Sequence, residues 1–250
     1  MERTAIHRRV EWRTATVVER RKETDSASTL ELHVAGWPGH DAGQHVDVRL
    51  TAADGYTAVR TYSIASAPDG DNLELTIELL PDGEVSPYLV ESVAPGSPVD
   101  VLGPIGGWFV WHPEQTEPIQ LIAGGSGIVP LMCMLRTRAQ HNVTAPFHLL
   151  YSVRGPESIY YADELARLAA ADFGAAITFA YTRTAPPNWP AKPQRVRAEL
   201  IATAALPASQ HPTAYVCGPT AFVEVVAGML TQAGYDASRI KTERFGPTGK

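Results

Sequence analysis

Cysteine is scarce: Cys133 and Cys217 are the only two in 250 residues, far apart and outside any C-x-x-C spacing. That excludes a disulfide framework, a structural zinc site and an internal iron–sulfur cluster. Positive charge is also short. With 21 Lys and Arg against 27 Asp and Glu the net charge is −6, which argues against a nucleic-acid footprint and a polybasic membrane patch. Long hydrophobic runs are missing too. The longest uncharged stretch, Pro118 to Leu135, is cut by Gln120, Gly124-Gly125-Ser126-Gly127 and Pro130, so it reads as strand, loop and helix rather than a membrane span. The segment from Met1 to Arg21 is charged and lacks an apolar run followed by a small-residue cleavage site, so a cytoplasmic protein is the expectation. His40 and His45 lack helical spacing and carboxylate partners, which argues against a metal site. No Ser/His/Asp or Cys/His order suggests a nucleophilic hydrolase.

What is there suffices for a packed core: 44% hydrophobic residues, with 20 Gly and 20 Pro, in a length that fits one large domain or two ordinary ones. The chain has two rhythms. Six short segments rich in Val, Thr, Leu and Ile come first: Val10 to Val18, Ser28 to Val34, Gly43 to Leu50, Arg60 to Ala65, Leu73 to Leu80 and Pro98 to Leu102. Leu73-Glu74-Leu75-Thr76-Ile77-Glu78-Leu79 alternates as a half-buried strand does, and turns such as Asp54-Gly55 and Pro68-Asp69-Gly70 separate the segments. An antiparallel barrel or sandwich is predicted, interrupted by a short helix from Ser86 to Val93 with Ser86 as N-cap and Pro87 in the first helical position. After His112-Pro113-Glu114, strands alternate with helices. Strands are predicted at Ile119 to Ala123, Phe147 to Val153, Ala176 to Tyr181, Thr213 to Cys217 and Arg239 to Arg244, and helices at Leu131 to Gln140, Ala162 to Ala171, Val196 to Leu206 and Ala221 to Ala233. That is a parallel sheet covered on both faces, with the boundary near residues 111 to 117 and a proline-rich loop from Thr184 to Pro193.

Three constellations carry chemistry. Gly124-Gly125-Ser126-Gly127 and then Pro130, between a strand and a helix, would bring backbone N–H groups and a helix N-terminus to a pyrophosphate; Pro130 stands where the usual dinucleotide fingerprint has its third glycine. A merely tight strand-to-helix turn has the same pattern. Arg60-Thr61-Tyr62-Ser63, at the start of a predicted strand, offers a fork for phosphate, a ring to stack and a hydroxyl for a ring nitrogen. An ordinary strand with an exposed arginine and a core tyrosine reads the same way. Gly83-Glu84-Val85-Ser86 leads into the short helix and can form a second anion site, or a helix start without a ligand.

The order R-x-Y-S, G-x-x-S, G-G-x-G-x-x-P and then Cys217-Gly218-Pro219 resembles the ferredoxin–NADP reductase superfamily along nearly the whole chain, from about residue 10 to Phe245. The likeness is to stand-alone flavoprotein reductases and to the flavin and nucleotide domains of oxygenase reductases. The resemblance implies a six-stranded Greek-key barrel binding FAD over residues 1–112 and a five-stranded parallel sheet binding NAD(P)H over 113–250. It implies that Arg60 contacts the flavin pyrophosphate, with Thr61 beside it, that Tyr62 stacks on the isoalloxazine and that Ser63 sits near N5. Gly83, Glu84, Val85 and Ser86 would hold the pyrophosphate, with Ile77 and Leu79 beside the flavin. Gly125, Ser126 and Gly127 would form the nucleotide loop, and Cys217, Gly218 and Pro219 would line the nicotinamide pocket. Glu243-Arg244-Phe245 resembles the family's E-x-aromatic ending, in which the ring covers the flavin; Ser63, Cys217 and Glu243 are the expected catalytic residues. Ser152 and Arg154, helped by Arg183 and Arg195, could grip a 2′-phosphate, giving a slight lean to NADPH over NADH. Cys133 reads as a core residue, Glu78 and Glu84 as solvated side chains.

The implied activity is hydride transfer from NAD(P)H to FAD and onward transfer of electrons to an external redox protein such as a ferredoxin or an oxygenase component. FMN in place of FAD, a flavin reductase or diaphorase serving small acceptors, and a non-catalytic flavin-binding electron-transfer subunit are the alternatives. With no cysteines for a cluster, electrons leave from the flavin to something outside this chain.

Overall fold

In the computed structural model, residues 10–171 and 175–246 are described. The first nine residues of the segment inspected for targeting, and the tail beyond Gly246, lie outside them.

Six strands form the first sheet: β1 (Glu11–Thr24), β2 (Ala27–His33), β3 (His45–Thr51), β4 (Thr57–Ser63), β5 (Asn72–Glu78) and β6 (Pro98–Ile105). Their spatial order is β4-β3-β6-β1-β2-β5, and every pair for which a register is resolved is antiparallel. An antiparallel bridge between Ile64 and Leu75 brings the two outer strands together and closes the barrel. β1 is longer than expected because it serves two partners. Its first half pairs with β6 and its second with β2, and register shifts at Val17/Glu19 and Lys22/Thr24 mark where it bends. Alternation fills the interior with Val17, Leu30, Leu32, Val46, Leu73, Leu75 and Ile77.

The predicted short helix is a single turn of π type over Tyr88–Ser92, with Leu89 and Val90 buried. Ser86 is not its cap. Pro87 occupies the N-cap position without a side-chain hydrogen bond, while the Ser86 hydroxyl accepts from the Leu80 N–H at 3.0 Å and closes the preceding loop. The turn's free carbonyls are met from β1, where Arg20 donates to Val90 at 2.7 Å and to Val93 at 3.2 Å.

The second sheet is parallel: β7 (Ile119–Gly124), β8 (Phe147–Val153), β9 (Ala176–Tyr181), β10 (Thr213–Pro219) and β11 (Ile240–Phe245), in the order β11-β10-β7-β8-β9. Helices α1 (Ile128–Gln140) and α2 (Ala162–Ala170) cover one face, and α3 (Ala198–Ala204) and α4 (Thr220–Gln232) the other. Strand alternation separates the two cores. Leu121, Leu149, Tyr151 and Tyr215 pack toward α1, and Ile122, Leu150, Val216 and Ala214 toward α4. The α1-side core also takes in Ala27, Ala65, Phe109 and Trp111, so barrel and parallel sheet share packed apolar surface. Among the described residues, no helix is long and apolar enough to cross a membrane.

Candidate active site

A cavity of about 740 Å³ lies where the end of β4, the outer face of β5 and the end of β11 converge. Arg60-Thr61-Tyr62-Ser63 stands at the C-terminal end of its strand, not at the start as expected, since pairing with β3 begins already at Thr57. All four residues line the cavity. Burial pushes the Tyr62 phenol up to about 12, with Arg60 pulling the other way, so the ring is neutral and available for stacking. Arg60 is already engaged: Nη2 donates to Glu84 at 2.8 Å and Nη1 to the Val59 carbonyl at 2.7 Å. Glu84 is therefore not simply solvated. It also accepts from the Tyr56 hydroxyl at 2.7 Å, and these two donors hold its carboxyl below the usual range. Thr61 donates to Asp47 at 2.5 Å on the neighbouring strand.

Ser63 is buried, and its hydroxyl donates to Glu243 Oε1 at 3.2 Å, joining β4 to β11 across the two sheets. Burial raises the Glu243 carboxyl to about 7, against the opposing pull of the Ser63 hydrogen bond. Phe245 lines the same cavity two residues on, as strand alternation requires.

Several expected positions fall elsewhere. Ile77 is fully buried in the barrel core and Leu79 packs against it, so neither lines the cavity. Alternation along β5 turns Thr76, Glu78 and Leu80 to that face instead, and the two-residue period was the signal that could have found them. Glu78 is half-buried at the cavity rather than solvated. Cys217 is fully buried in the α1-side core, its thiol pushed well up by burial and by the nearby Glu243 charge. Neither described cavity is lined by Cys217, Gly218 or Gly127, because these residues pack on one another: a Cβ on Gly127 would collide with the Cys217 carbonyl. Pro219 lines both cavities in their place. Cys133 is a core residue as expected, its thiol directed at the Ser66 carbonyl. His40 is buried and bonded to Trp37 and to the Ser66 carbonyl, and the described residues hold no group of side chains able to bind a metal. His45, which sequence reasoning set aside, lines the first cavity, and burial lowers its pKa.

The second cavity, about 960 Å³, opens over the carboxyl ends of β7, β8 and β10. The strand order reverses between β7 and β10, the position where open α/β sheets form a binding crevice. Gly125 has φ +55 and open space around it, so its backbone can face a ligand. Ser126, Ser152, Arg154, Arg183 and Arg195 line the cavity, with the acidic Glu157 among them. The β1–β2 hairpin reaches over from the barrel to supply Thr24, Asp25 and Ser26. Glu78, Ser126 and Pro219 line both cavities and mark their junction.

A polar cluster fixes the sheets relative to one another beside that junction. Arg136 on α1 donates to Glu74 on β5 at 2.6 Å, to Glu164 on α2 at 2.7 and 2.8 Å, and to the Ala65 carbonyl at 3.0 Å. Burial disfavours its charge, but these carboxylates outweigh it and raise its pKa. Tyr161, in the left-handed region at φ +57, hydrogen-bonds Thr76 through its hydroxyl and donates its N–H to Glu23 at 3.1 Å.

The donor set fits two anionic nucleotides: an open-faced glycine loop at a helix start, arginines in both cavities, and a Gly83 turn where a Cβ would crowd Leu80 and Ser86. Residues 8–110 match the oxidoreductase FAD-binding domain family and residues 121–228 the oxidoreductase NAD-binding domain family. The chain is 27% identical, over 94% of its length, to the ferredoxin–NAD(P)+ reductase component of naphthalene 1,2-dioxygenase/salicylate 5-hydroxylase systems of a Ralstonia species, of which it spans 69%. It is 30% identical, over 82% of its length, to the glycine betaine monooxygenase reductase subunit of Chromohalobacter salexigens, of which it spans 56%. Among solved structures, the FAD/NAD-binding domain of nitric oxide dioxygenase from Vibrio cholerae superposes with a TM-score of 0.84 at 27% identity, covering 94% of this chain and 99% of that one. The Amycolatopsis cytochrome P450 reductase superposes at 0.83 and 25%, covering 96% and 71%. The two families together take in both sheets, and the chain belongs to the ferredoxin–NADP reductase superfamily of FAD- and NAD-binding oxidoreductases.

Proposed function

We propose that this chain is an NAD(P)H-dependent flavoprotein reductase, with FAD in the first cavity and NAD(P)H in the second, passing electrons to an external redox protein such as a ferredoxin or an oxygenase component. The observation that carries the reading is the junction of the two cavities at Ser126 and Pro219, with the Ser63–Glu243 hydrogen bond at the edge of the flavin side. The two reductase components to which the chain is similar support the acceptor class.

Bound FAD supplies the conversion between two-electron and one-electron chemistry. Tyr62 would stack on the flavin ring and Ser63 would present a hydroxyl at its reacting edge. Glu243, accepting from that hydroxyl at Oε1 and titrating near neutrality, can take up a proton relayed through Ser63 Oγ. Arg60, held by the Glu84 carboxylate, would have to share its guanidinium to hold a flavin phosphate. Gly125 and Ser126 offer backbone N–H groups to the nucleotide pyrophosphate. Arg154, Arg183 and Arg195, which line the cavity with Ser152, favour NADPH, because each guanidinium can make a charge-assisted bond to a 2′-phosphate. The division into a flavin unit, 1–112, and a nucleotide unit, 113–250, is supported by the two sheets falling on either side of it.

The test is anaerobic. Purified protein loaded with FAD is mixed with NADPH or NADH, and the flavin absorbance is followed. Bleaching by NADPH at lower concentration than by NADH is the expected result; no bleaching by either would sink the reading. Slow steady turnover that accelerates when a ferredoxin-like protein is added supports a protein acceptor, whereas fast turnover with free flavin alone would assign a flavin reductase.

A further inference from the structure

Glu78 stands at the junction of the two cavities and, among the described residues, is the only acidic side chain lining both. Its strand neighbours on the same face are tied down: Glu74 is paired with Arg136 at 2.6 Å and with Arg21 at 3.0 Å, and Thr76 is bonded to Tyr161 and Thr29. Glu78 is half-buried, yet among the described residues no hydrogen bond or ion pair engages its carboxylate. A partly desolvated charge without a partner is unfavourable unless a ligand provides one. Tyr151 and Tyr160 beside it are held protonated chiefly by burial, and the Tyr151 hydroxyl is taken by the Tyr160 N–H at 3.4 Å.

We propose that Glu78 recognises the nicotinamide end of the nucleotide, accepting from its carboxamide N–H₂ and stabilising the positive charge of the oxidised ring. The charge change selects this partner over the flavin. When a hydride leaves nicotinamide C4, two electrons and one hydrogen nucleus pass to the flavin; the nicotinamide ring becomes cationic while the flavin becomes electron-rich, and Glu78 neither gains nor loses a proton. A carboxylate is favourable beside the first and unfavourable beside the second. Glu74 and Thr76, clamped to α1 and to Tyr161 at the head of α2, hold β5 so that Glu78 stays at the junction.

The inference rests on the second cavity being the nucleotide site, and the test separates the two. FAD-loaded wild type and Glu78→Gln are titrated calorimetrically with NADP⁺ and with 1,4,5,6-tetrahydro-NADP, a redox-inert analogue with a neutral ring. The expected result is NADP⁺ weakened about tenfold with the analogue changed less than about twofold, the scale of one lost charge contact at a partly wet site. Glu78→Asp, which keeps the charge, should recover most of the discrimination. Equal weakening of both ligands, or an Asp variant that behaves as Gln, overturns the proposal. So does a shifted flavin midpoint potential with nucleotide affinities unchanged, which would place the carboxylate against the flavin. If wild type binds neither ligand, the assignment of the cavity itself fails.

Discussion

Ser63 and Glu243 lie 180 positions apart in the sequence and share one hydrogen bond, so the chemistry of either depends on the other. Ser63→Ala removes the donor while sparing the packing of a small side chain; stopped-flow reduction of bound FAD should slow by about tenfold or more, with FAD retained. Glu243 offers a pH test. Its folded-state pKa, about 7, lies above the ordinary 4.5, so between those values the folded chain binds more protons than the unfolded chain and stability falls as pH rises. Below the window the carboxyl is protonated in both states, and above it ionised in both, so the slope is confined to that interval. Glu243→Gln should flatten the stability profile there and remove a reduction-rate transition near neutrality; denaturant melts and rate measurements across the window check both. The sequence named these two residues, but not their contact.

At the scale of elements, the loop between β7 and α1 shows how one glycine pattern serves two purposes. Gly125 adopts φ +55 with nothing near its missing side chain, whereas Gly127 lies against the β10 backbone at Cys217. Gly127→Ala should therefore destabilise the fold by about 2 kcal/mol through forced repacking. Gly125→Ala should cost only about 1 kcal/mol of backbone strain but weaken nucleotide binding. Thermal melts paired with nucleotide titrations distinguish the two. The strand β5 teaches the complementary lesson. Its alternation was legible, but Ile77 and Leu79 were given to the flavin when Ile77 lies in the barrel interior and Leu79 packs against it, because a period of two fixes which residues share a face without fixing which face meets the second sheet. The Ser86 turn departs for a similar reason: a serine before a proline has the pattern of a cap, and here its hydroxyl finds the Leu80 N–H first.

At the scale of the molecule, two sheets must be held at one distance for nicotinamide and flavin to meet. Arg136 links α1, α2, β5 and the segment after β4. Removing it leaves the Glu164 carboxylate without its partner and Glu74 with Arg21 alone, and Arg136→Met should cost about 3 kcal/mol in denaturant unfolding. Hydride transfer should slow more than FAD affinity falls, since the barrel keeps its own core. The arginines of the second cavity give a separate prediction about substrate choice. Arg154→Ala should lower kcat/KM for NADPH by about tenfold and that for NADH much less, the loss of one charge-assisted phosphate contact. Equal losses for both nucleotides would remove the 2′-phosphate from the reading.

The order of motifs, the switch from antiparallel to parallel rhythm and the residue types able to hold phosphate were all written in the sequence, because they follow from local periodicity, glycine geometry and side-chain chemistry. The strands Phe147–Val153 and Ala176–Tyr181 lie at the expected bounds, and the remaining parallel strands fall within a few residues. Only the tertiary structure decided that Cys217 is sealed in a core while Pro219 reaches the junction, that Glu84 occupies Arg60, that Arg136 joins the sheets, and that Glu78 faces both cavities. Each of these depends on contacts between segments distant in the chain. Their approach is set by how the barrel packs against the parallel sheet, and no local pattern encodes that distance or that facing.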